Sequence, residues 1–549
     1  MSKLALTDVG PTTTFAPLKN ATFRSIWLAN QVSSLGTLMQ SVAVGWLMAT
    51  IATSDLMVAL VQAASALPAA ILSVIAGAVA DNFNRRRVML AAQWLMMIAS
   101  ALLTGLTALG IIHPWLILGF SFLIGCGSAL NNPAWQASVG DIVSRRNLPS
   151  AVTLISVGFN TVRSVGPALG GIVVASFGPL IAFVLNTVSY LVPLWVISCR
   201  GWKIRSSSLP RESMLTAVYD GIRFTAISSD IKTVLARGCL FGLTSTSILS
   251  LLPLFVRDQL GAGPLAYGTL MAGFGTGAFI GGISNGVLRR LISQNGLIQL
   301  ACIACAVCTS SLAMSPPLAF AAVALALGGS GWVVAWSGLN VSVQLASPRW
   351  IVGRTISIYH AFTFGGIAAG SWLWGSIAQH YSLTWSLGIA GSALLLAAAA
   401  GYILPIKQQR MTNLDPLDQF EAPALALDLK PRSGPIVVKV EYIIADENVN
   451  TFLKLMSERR RVQSRAGARH WTLLRNIQRP SQWTETYRTP TWTDYLRQNH
   501  RLTAADKDLE ERIRALHAGG VPPRFELLIE RSAGAAHKSD PSTSTLSPH

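Results

Sequence analysis

The sequence predicts an all-α polytopic membrane protein of twelve transmembrane helices in two six-helix repeats, followed by a separate α+β domain. Three observations predict it. Residues 1–405 hold twelve apolar stretches of 20 to 27 residues, the helical length that crosses a hydrocarbon core about 30 Å thick. Lys and Arg concentrate in alternate loops. Sequence patterns recur six spans apart.

The spans are 25–49, 56–80, 88–110, 114–137, 150–176, 179–199, 232–256, 265–288, 295–314, 317–341, 352–378 and 383–405. Arg85, Arg86 and Arg87 follow the second, Arg145 and Arg146 the fourth, and Arg200, Lys203, Arg205 and Arg211 the sixth. Arg289 and Arg290 follow the eighth, Arg349 the tenth, and Lys407 and Arg410 the twelfth. The other loops are nearly free of cations, Arg257 excepted. Because basic loops stay inside, both termini are expected in the cytoplasm of a bacterial inner-membrane protein.

Composition agrees: of 549 residues 51% are hydrophobic and 12% charged. The net charge of +18 divides into +13 for residues 1–405 and +5 for the remainder. Most of that excess is orientation charge in short loops, so a nucleic-acid partner is not expected. Residues 1–22 are polar and lack the apolar core of a signal peptide. Cys302, Cys305 and Cys308 imitate a metal motif, but they fall within a span with no His or carboxylate nearby, and read as packing residues. No metal, cofactor or catalytic group is expected. No G-x4-G-K-[ST] occurs, so the chain does not power transport by its own ATP hydrolysis.

The basic segment 200–231, with an amphipathic piece from Met214 to Phe224, separates the six-span sets 25–199 and 232–405; residues 1–24 precede the first. Gly77-x3-Asp81-x3-Arg85-Arg86 ends span two, and Gly281-x3-Asn285-x3-Arg289-Arg290 ends span eight. Asn132-x3-Gln136 and Asn340-x3-Gln344 end spans four and ten. Gly166-Pro167-Ala-Leu-Gly170-Gly171 lies in span five, and Gly365-Gly-Ile-Ala-Ala-Gly370 in span eleven. Equivalent elements six spans apart mean parallel repeats, related by an axis along the membrane normal. Gly273-x3-Gly277-x3-Gly281 reads as a close helix-packing face.

A carboxylate at Asp81, at a basic helix exit, can pair with a cation or face a neighbouring helix N-terminus, latching one state of the two sets. Arg163 falls near the bilayer midplane, where a charge costs at least about 2.5–3.5 kcal/mol and must face a cavity or a partner. No Asp or Glu lies inside a span. The partners left are backbone carbonyls, polar side chains such as Asn160, water, or an anionic substrate. Proton coupling needs a titratable group that alternates between wet and dry; Asp81, Asp141 and His360 are the candidates. Asn30, Gln31 and Gln40 in span one, and Trp332 and Trp336 in span ten, are placed to line a path or to pack.

The stretch 77–87 resembles the loop motif of the major facilitator superfamily, G-x-x-x-D-R-x-G-R-R, with Asn82 and Asn84 in place of its Arg and Gly. Gly166, Pro167, Gly170 and Gly171 resemble the core of the span-five motif of that superfamily's antiporters, which are mostly exporters. Asn132-Pro133, Asn160-x2-Arg163-x2-Gly166-Pro167, Gln344, Pro348-Arg349-Trp350, Gly353-Arg354 and Gly370-Ser371-Trp372 resemble its transmembrane secretion effector branch, similar to bacterial enterobactin exporters. Arg465-Ala-Gly-Ala468, Trp471, Tyr495-Leu-Arg497 and Arg501 extend the resemblance into the tail. It implies a major facilitator fold exporting a small molecule, siderophore-like or drug-like, by alternating access with protons as the coupling ion. The latch would involve Gly77, Asp81, Arg85, Arg86 and the span-five motif. The substrate path would run past Asn30, Gln31, Asn132, Gln136, Asn160, Arg163, Trp336, Asn340, Gln344 and His360. An amphiphilic cargo fits, anionic if Arg163 faces it. Import by the same fold is an alternative.

Residues 406–434 read as a linker and 532–549 as a disordered tail. Between them, 435–531 reads as strand, helix, strands at 468–478 and 482–490, a helix at 493–517 and a strand at 523–531. That βαββαβ order is ferredoxin-like. Ile436, Val438, Val440, Tyr442 and Ile444 share one strand face. His470, Trp471, Trp483, Trp492, Tyr495, Arg497 and His500 are placed either for a small pocket or for packing. Such domains resemble cofactor-free monooxygenases that pair strand faces into dimers, which implies a homodimer through this domain and, as a further alternative, a membrane-tethered monooxygenase.

Overall fold

The computed structural model describes residues 15–144, 147–202, 214–348, 351–406, 423 and 425–531. Contacts divide the chain into two compact units, one of residues 1–347 and 351–409, the other of 348–350 and 410–549.

The larger unit is helical. Its N-terminal set comprises α1 (Ala21–Ile51), α2 (Asp55–Asn82), α3 (Arg85–Ala108), α4 (Pro114–Ile142), α5 (Leu148–Phe177), α6 (Pro179–Ser189) and α7 (Leu191–Cys199). After α8 (Met214–Ile227) the C-terminal set comprises α9 (Ser229–Ser245), the short α10 (Ser247–Ser250) and α11 (Leu252–Leu254), α12 (Pro264–Leu291), α13 (Gln294–Ala313), α14 (Leu318–Ala346), α15 (Val352–His380) and α16 (Leu383–Ile403). Among the described residues nine segments are long and apolar enough to cross a membrane. The glycine-rich α5, α12 and α15 are 30, 28 and 29 residues long.

Three local departures from the expected spans have physical causes. Span six breaks at Tyr190, because Pro193 has no N–H for the Ser189 carbonyl. Span seven breaks around Pro253 and ends in a π turn, Phe255–Gln259, closed by Leu260 N–H donating to the Phe255 carbonyl at 3.1 Å. The echoed motifs also part company at their ends. The Asn84 side chain accepts from Arg86 N–H at 3.1 Å, capping a new helix, so α2 stops before the arginines; α12 runs through Arg289 and Arg290.

Close packing follows the glycines. Gly170 lies against the Met39 backbone on α1, and Gly370 against the Leu243 carbonyl on α9, so the span-five and span-eleven motifs do the same job in each set. Gly273, Gly277 and Gly281 lie against Ala322, Ala326 and Ser330 of α14.

The two sets meet along α2 against α15 and α5 against α12. Their tightest contacts lie at the end opposite Arg85–Arg87. There Gly171 touches Gly268 so closely that a Cβ on either would overlap the other's Cα. Trp46 stacks on Tyr267 with centroids 6.2 Å apart. The π turn aims Arg257 at the N-terminal set, where it pairs with Asp55 at 2.8 Å and donates to the Ala49 carbonyl at 2.8 Å. Gln379 Oε1 accepts from Asp55 N–H at 2.7 Å and from Ser54 Oγ at 2.8 Å, supplying a partner for orphan donors at the start of α2. Toward the basic end, Ser73 Oγ donates to the Ser357 carbonyl at 2.9 Å.

The smaller unit contains β1 (Ile436–Ile443), α17 (Val449–Ala466), β2 (Arg469–Arg475), β3 (Gln482–Thr489), α18 (Trp492–His500), α19 (Ala504–Ala515) and β4 (Arg524–Ile529). The sheet order is β2-β3-β1-β4, every neighbour antiparallel. The expected strand face is buried: Ile436, Val438, Val440, Tyr442 and Ile444 pack on Phe452, Leu455 and Met456 of α17 and Leu509 and Ile513 of α19. The single helix expected over 493–517 is two. The Asp506 carboxylate accepts from Thr503 N–H at 3.0 Å and Thr503 Oγ1 at 2.8 Å, a capping box that starts α19 afresh.

Glu485 on β3 is fully buried. It accepts from Arg459 Nε at 3.0 and 2.7 Å, Trp471 Nε1 at 2.7 Å and Tyr442 OH at 3.1 Å. Burial opposes the Arg459 charge, but Glu485 and the neighbouring tyrosines raise its pKa above the ordinary value; burial likewise pushes the Tyr442 hydroxyl up. Glu485→Ala strands a buried guanidinium and is expected to lower the stability of this unit by about 3–5 kcal/mol, read as a lower melting temperature for proteolysis of residues 435–531. At the far end of the larger unit, Asp55 and Arg257 are 31% and 30% exposed, so their pair contributes at most about 1 kcal/mol. Asp55→Asn is therefore expected to raise maleimide labelling of Thr246→Cys, applied from that end, by no more than about fivefold.

Candidate functional site

Between the two helix sets lies a cavity of 1520 Å³. Toward the basic end its wall includes Gly77, Asn132, Gln136, Val152, Asn285 and Gly353; at the other extreme it stops near Gln62, Thr246 and Leu249. Beyond that level stand the Gly171–Gly268 contact and the Arg257–Asp55 pair. The cavity is thus closed by packing at one end and extends toward the end that carries Arg85–Arg87.

Six of the ten expected path residues line this wall without further qualification: Asn30, Gln31, Asn132, Gln136, Arg163 and Trp336. Asn340 and His360 line it as a pair, with Asn340 Nδ2 3.5 Å from His360 Nε2. Gln344 is exposed and stands behind them, donating to Asn340 Oδ1 at 2.6 Å. The backbone of Asn160 lies in α5, but its side chain is outside the described residues. Sequence reasoning missed Trp27, Gln93, Asn131 and Arg354, which also line the cavity. A polar residue interrupting an apolar span was the available signal for Gln93 and Asn131.

Arg163 has a partner of a kind not weighed from the sequence. Its guanidinium carbon sits 4.0 Å from the Trp332 ring centroid and 6.0 Å from that of Phe159. Trp332 stacks on Trp336 at 5.0 Å with 8° between planes. Trp336 then stacks on His360 at 6.3 Å and 18°, while Phe364 meets it edge-on at 5.5 Å. A guanidinium over an indole face is attracted by the ring quadrupole, more strongly where water is excluded. This contact joins α5 of one set to α14 of the other.

At the basic end the side chain of Asp81 lies outside the described residues. The structure instead places Arg85 on Asp141 of α4 at 2.5 Å and on the Ala137 carbonyl at 3.1 Å. Asp141 is 7% exposed, so this pair is better shielded than a surface bridge. Arg86 donates to the carbonyls of Ile197 at 2.9 Å and Ser198 at 2.6 Å, filling the orphan acceptors at the end of α7. In the C-terminal set Arg289 and Asn285 reach Ser337 of α14 at 3.3 and 3.1 Å. Both clusters therefore tie a basic helix end to a neighbouring helix of their own set.

Gly166, Pro167, Gly170 and Gly171 do not enter the cavity wall; Gly166 and Gly170 seat α5 on α1, and Gly171 seats it on α12. In the smaller unit the aromatic residues considered for a pocket pack into its core. Trp471 bonds Glu485, Trp483 packs on Phe452 at 5.7 Å, Trp492 stacks on Tyr495 at 5.2 Å, and His470 is exposed. Among the described residues no group of His, Cys, Asp and Glu could hold a metal ion.

Residues 12–534 match the family model described as transmembrane secretion effector, which extends into the smaller unit. The multidrug efflux pump Tap of Mycolicibacterium fortuitum is 22% identical over 404 residues, 71% of this chain and 96% of that protein. The enterobactin exporter EntS of Escherichia coli O1:K1 / APEC is 26% identical over 409 residues, 72% of this chain and 94% of that protein. Among solved structures, an inward-facing, unoccupied bacterial homolog of the human lysosomal transporter Spinster aligns with TM-score 0.57 and 14% identity, covering 72% of this chain and 98% of that one. An autoinhibited POT family peptide transporter aligns with TM-score 0.59 and 12% identity, covering 71% and 98%. The architecture is that of a multi-pass membrane transporter, and the chain belongs to the transmembrane secretion effector family of the major facilitator superfamily.

Proposed function

We propose that this protein is a secondary active exporter of small amphiphilic molecules, working by alternating access. The observation that carries the reading is a cavity walled by polar and aromatic residues of both helix sets and closed by packing at the end opposite Arg85–Arg87. Such a cavity at the interface of two repeats is where substrate binds when the repeats rock against each other. The relatives support the direction, since two of them are named for efflux or export.

In this reading α5, α12 and α15 join the nine apolar segments to make twelve crossings, as two six-helix bundles over 25–199 and 232–405 linked by 200–231. Both termini are cytoplasmic, so the cavity faces the cytoplasm and the Gly171–Gly268 zip closes the outer side. Gly77, Asp81, Arg85 and Arg86 hold the inner helix ends while the outer zip opens. The path residues, from Asn30 and Gln31 through Arg163 to Trp336, Asn340 and His360, contact the cargo, and Gln344 steadies Asn340. A proton gradient is the expected energy source. Residues 435–531 form a cytoplasmic ferredoxin-like domain that pairs into homodimers and has no catalytic role.

Cells with and without the chain are expected to differ in the small molecules they release, read by untargeted mass spectrometry of the medium; identical media would overturn the export reading. Arg163→Ala is expected to abolish that difference while the protein still inserts, as judged by membrane fractionation. Asp141→Asn, which removes the ion pair between Arg85 and Asp141, is expected to reduce the difference at least severalfold, and Asp141→Glu to restore part of it.

A further inference from the structure

We propose that the cargo is a planar aromatic anion, held by the Arg163 guanidinium and the stacked indoles of Trp332 and Trp336. The proposal rests on the reading of this cavity as the transport site, and it specifies the cargo's charge and shape.

Charge comes first. Arg163 and Arg354 line the wall, and among the described lining residues there is no Asp or Glu. The helices themselves explain why: Asp55 begins α2, Asp141 is the penultimate residue of α4, and Asp81, whose side chain is outside the described residues, is penultimate in α2. A guanidinium at membrane depth, in a cavity whose described lining holds no carboxylate, leaves a net positive field. Its present partner is the Trp332 ring, and a ring quadrupole attracts a cation less than a full negative charge does. An entering anion therefore draws Arg163 off the indole, whereas a neutral molecule cannot and a cation is repelled.

Shape comes from the column. Arg163, Trp332, Trp336 and His360 present four delocalised planes in sequence, with Trp332 and Trp336 within 8° of parallel. Flat π-systems stack on such faces. Across the cavity, the buried Trp27 Nε1 and Asn30 Nδ2 have no hydrogen-bond partner among the described residues, and both residues line the wall. Gln93 Oε1 is likewise buried and unpartnered among the described residues; these three atoms meet a cargo's polar groups only when their side chains turn into the cavity.

Two consequences follow. Arg163 and Trp332 belong to different helix sets, so cargo that separates them removes a tie between α5 and α14. Cargo that carries negative charge is also driven outward by an inside-negative potential, so its export is electrogenic and the potential adds to the drive of the proton gradient.

The test uses the purified full-length chain and three pyrene probes of one shape: 1-pyrenesulfonate, 1-pyrenemethanol and 1-pyrenemethylammonium. Binding is read as energy transfer from tryptophan to pyrene. The sulfonate is expected to bind at least about tenfold tighter than the alcohol, and the ammonium weakest. Arg163→Gln is expected to erase that preference. Arg163→Lys keeps the charge without the planar fork and is expected to retain the preference at lower affinity, so it decides the matter if the glutamine variant is not monodisperse. Trp332→Leu is expected to weaken all three probes. In proteoliposomes with a valinomycin-set potassium potential and no pH gradient, the sulfonate is expected to distribute at least about tenfold per ~59 mV. Equal binding of the three probes, or unchanged sulfonate binding by Arg163→Gln, overturns the proposal. If the sulfonate arm fails while cells still release compounds because of this chain, the cargo class falls and the export reading stands. If both fail, the cavity is not the transport site.

Discussion

A peptide group inside hydrocarbon has no water to bond, and each unsatisfied N–H or C=O there costs several kcal/mol. Everything else in the larger unit follows from that constraint. Crossing segments must be helices; the hydrogen bond that proline denies breaks the helix at Pro193 and Pro253, whereas α2, α4 and α5 run on through Pro68, Pro133 and Pro167. Those breaks are put to use: the π turn after Pro253 is what turns Arg257 toward Asp55. Polar side chains obey the same rule. Gln40 of α1 accepts from Ser100 of α3 at 2.8 Å and from Asn186 of α6 at 2.6 Å, and other polar side chains line the cavity.

Association of helices in lipid gains little from the hydrophobic effect, so close van der Waals contact must supply it. Glycine is the means. The same spacing of small residues serves two purposes here. Within each set it seats one helix permanently, as Gly170 on α1 and Gly370 on α9; between sets, Gly171 on Gly268 makes a contact of backbone on backbone. The second kind is well suited to separation, because it buries no ion pair and interlocks no long side chains. The polar links beside it are few and partly exposed, so opening does not strand a deeply buried charge.

Much was legible in the chain itself. Span positions, the polar residues that line the cavity and the strand face from Ile436 to Ile444 are one-dimensional signals: run length, interruptions of apolarity, and period two. Pairings were not legible. Asp141, a titratable candidate in the sequence, pairs with Arg85 where α3 and α4 meet, 56 positions apart. For Arg163 the sequence offers carbonyls, polar side chains, water or an anionic substrate; in the structure the guanidinium lies over an indole 169 positions away, and nothing in local sequence marks an aromatic ring as a cation's counterpart. In the smaller unit, Trp471, Trp483, Trp492 and Tyr495, legible as either pocket or packing residues, join the core, while Glu485, which no motif singled out, gathers Arg459, Trp471 and Tyr442.

Sequence alone determined that this chain is built from membrane-crossing helices followed by an α+β unit, because bilayer thickness, loop charge and side-chain periodicity act along the chain and need no partner to be read. Only the tertiary structure decided which end of the cavity is closed and what Arg163 touches. Those outcomes depend on distances between helices far apart in sequence, where a missing Cβ at Gly171 and Gly268, or an indole face turned toward a cation, has meaning only once the helices are side by side.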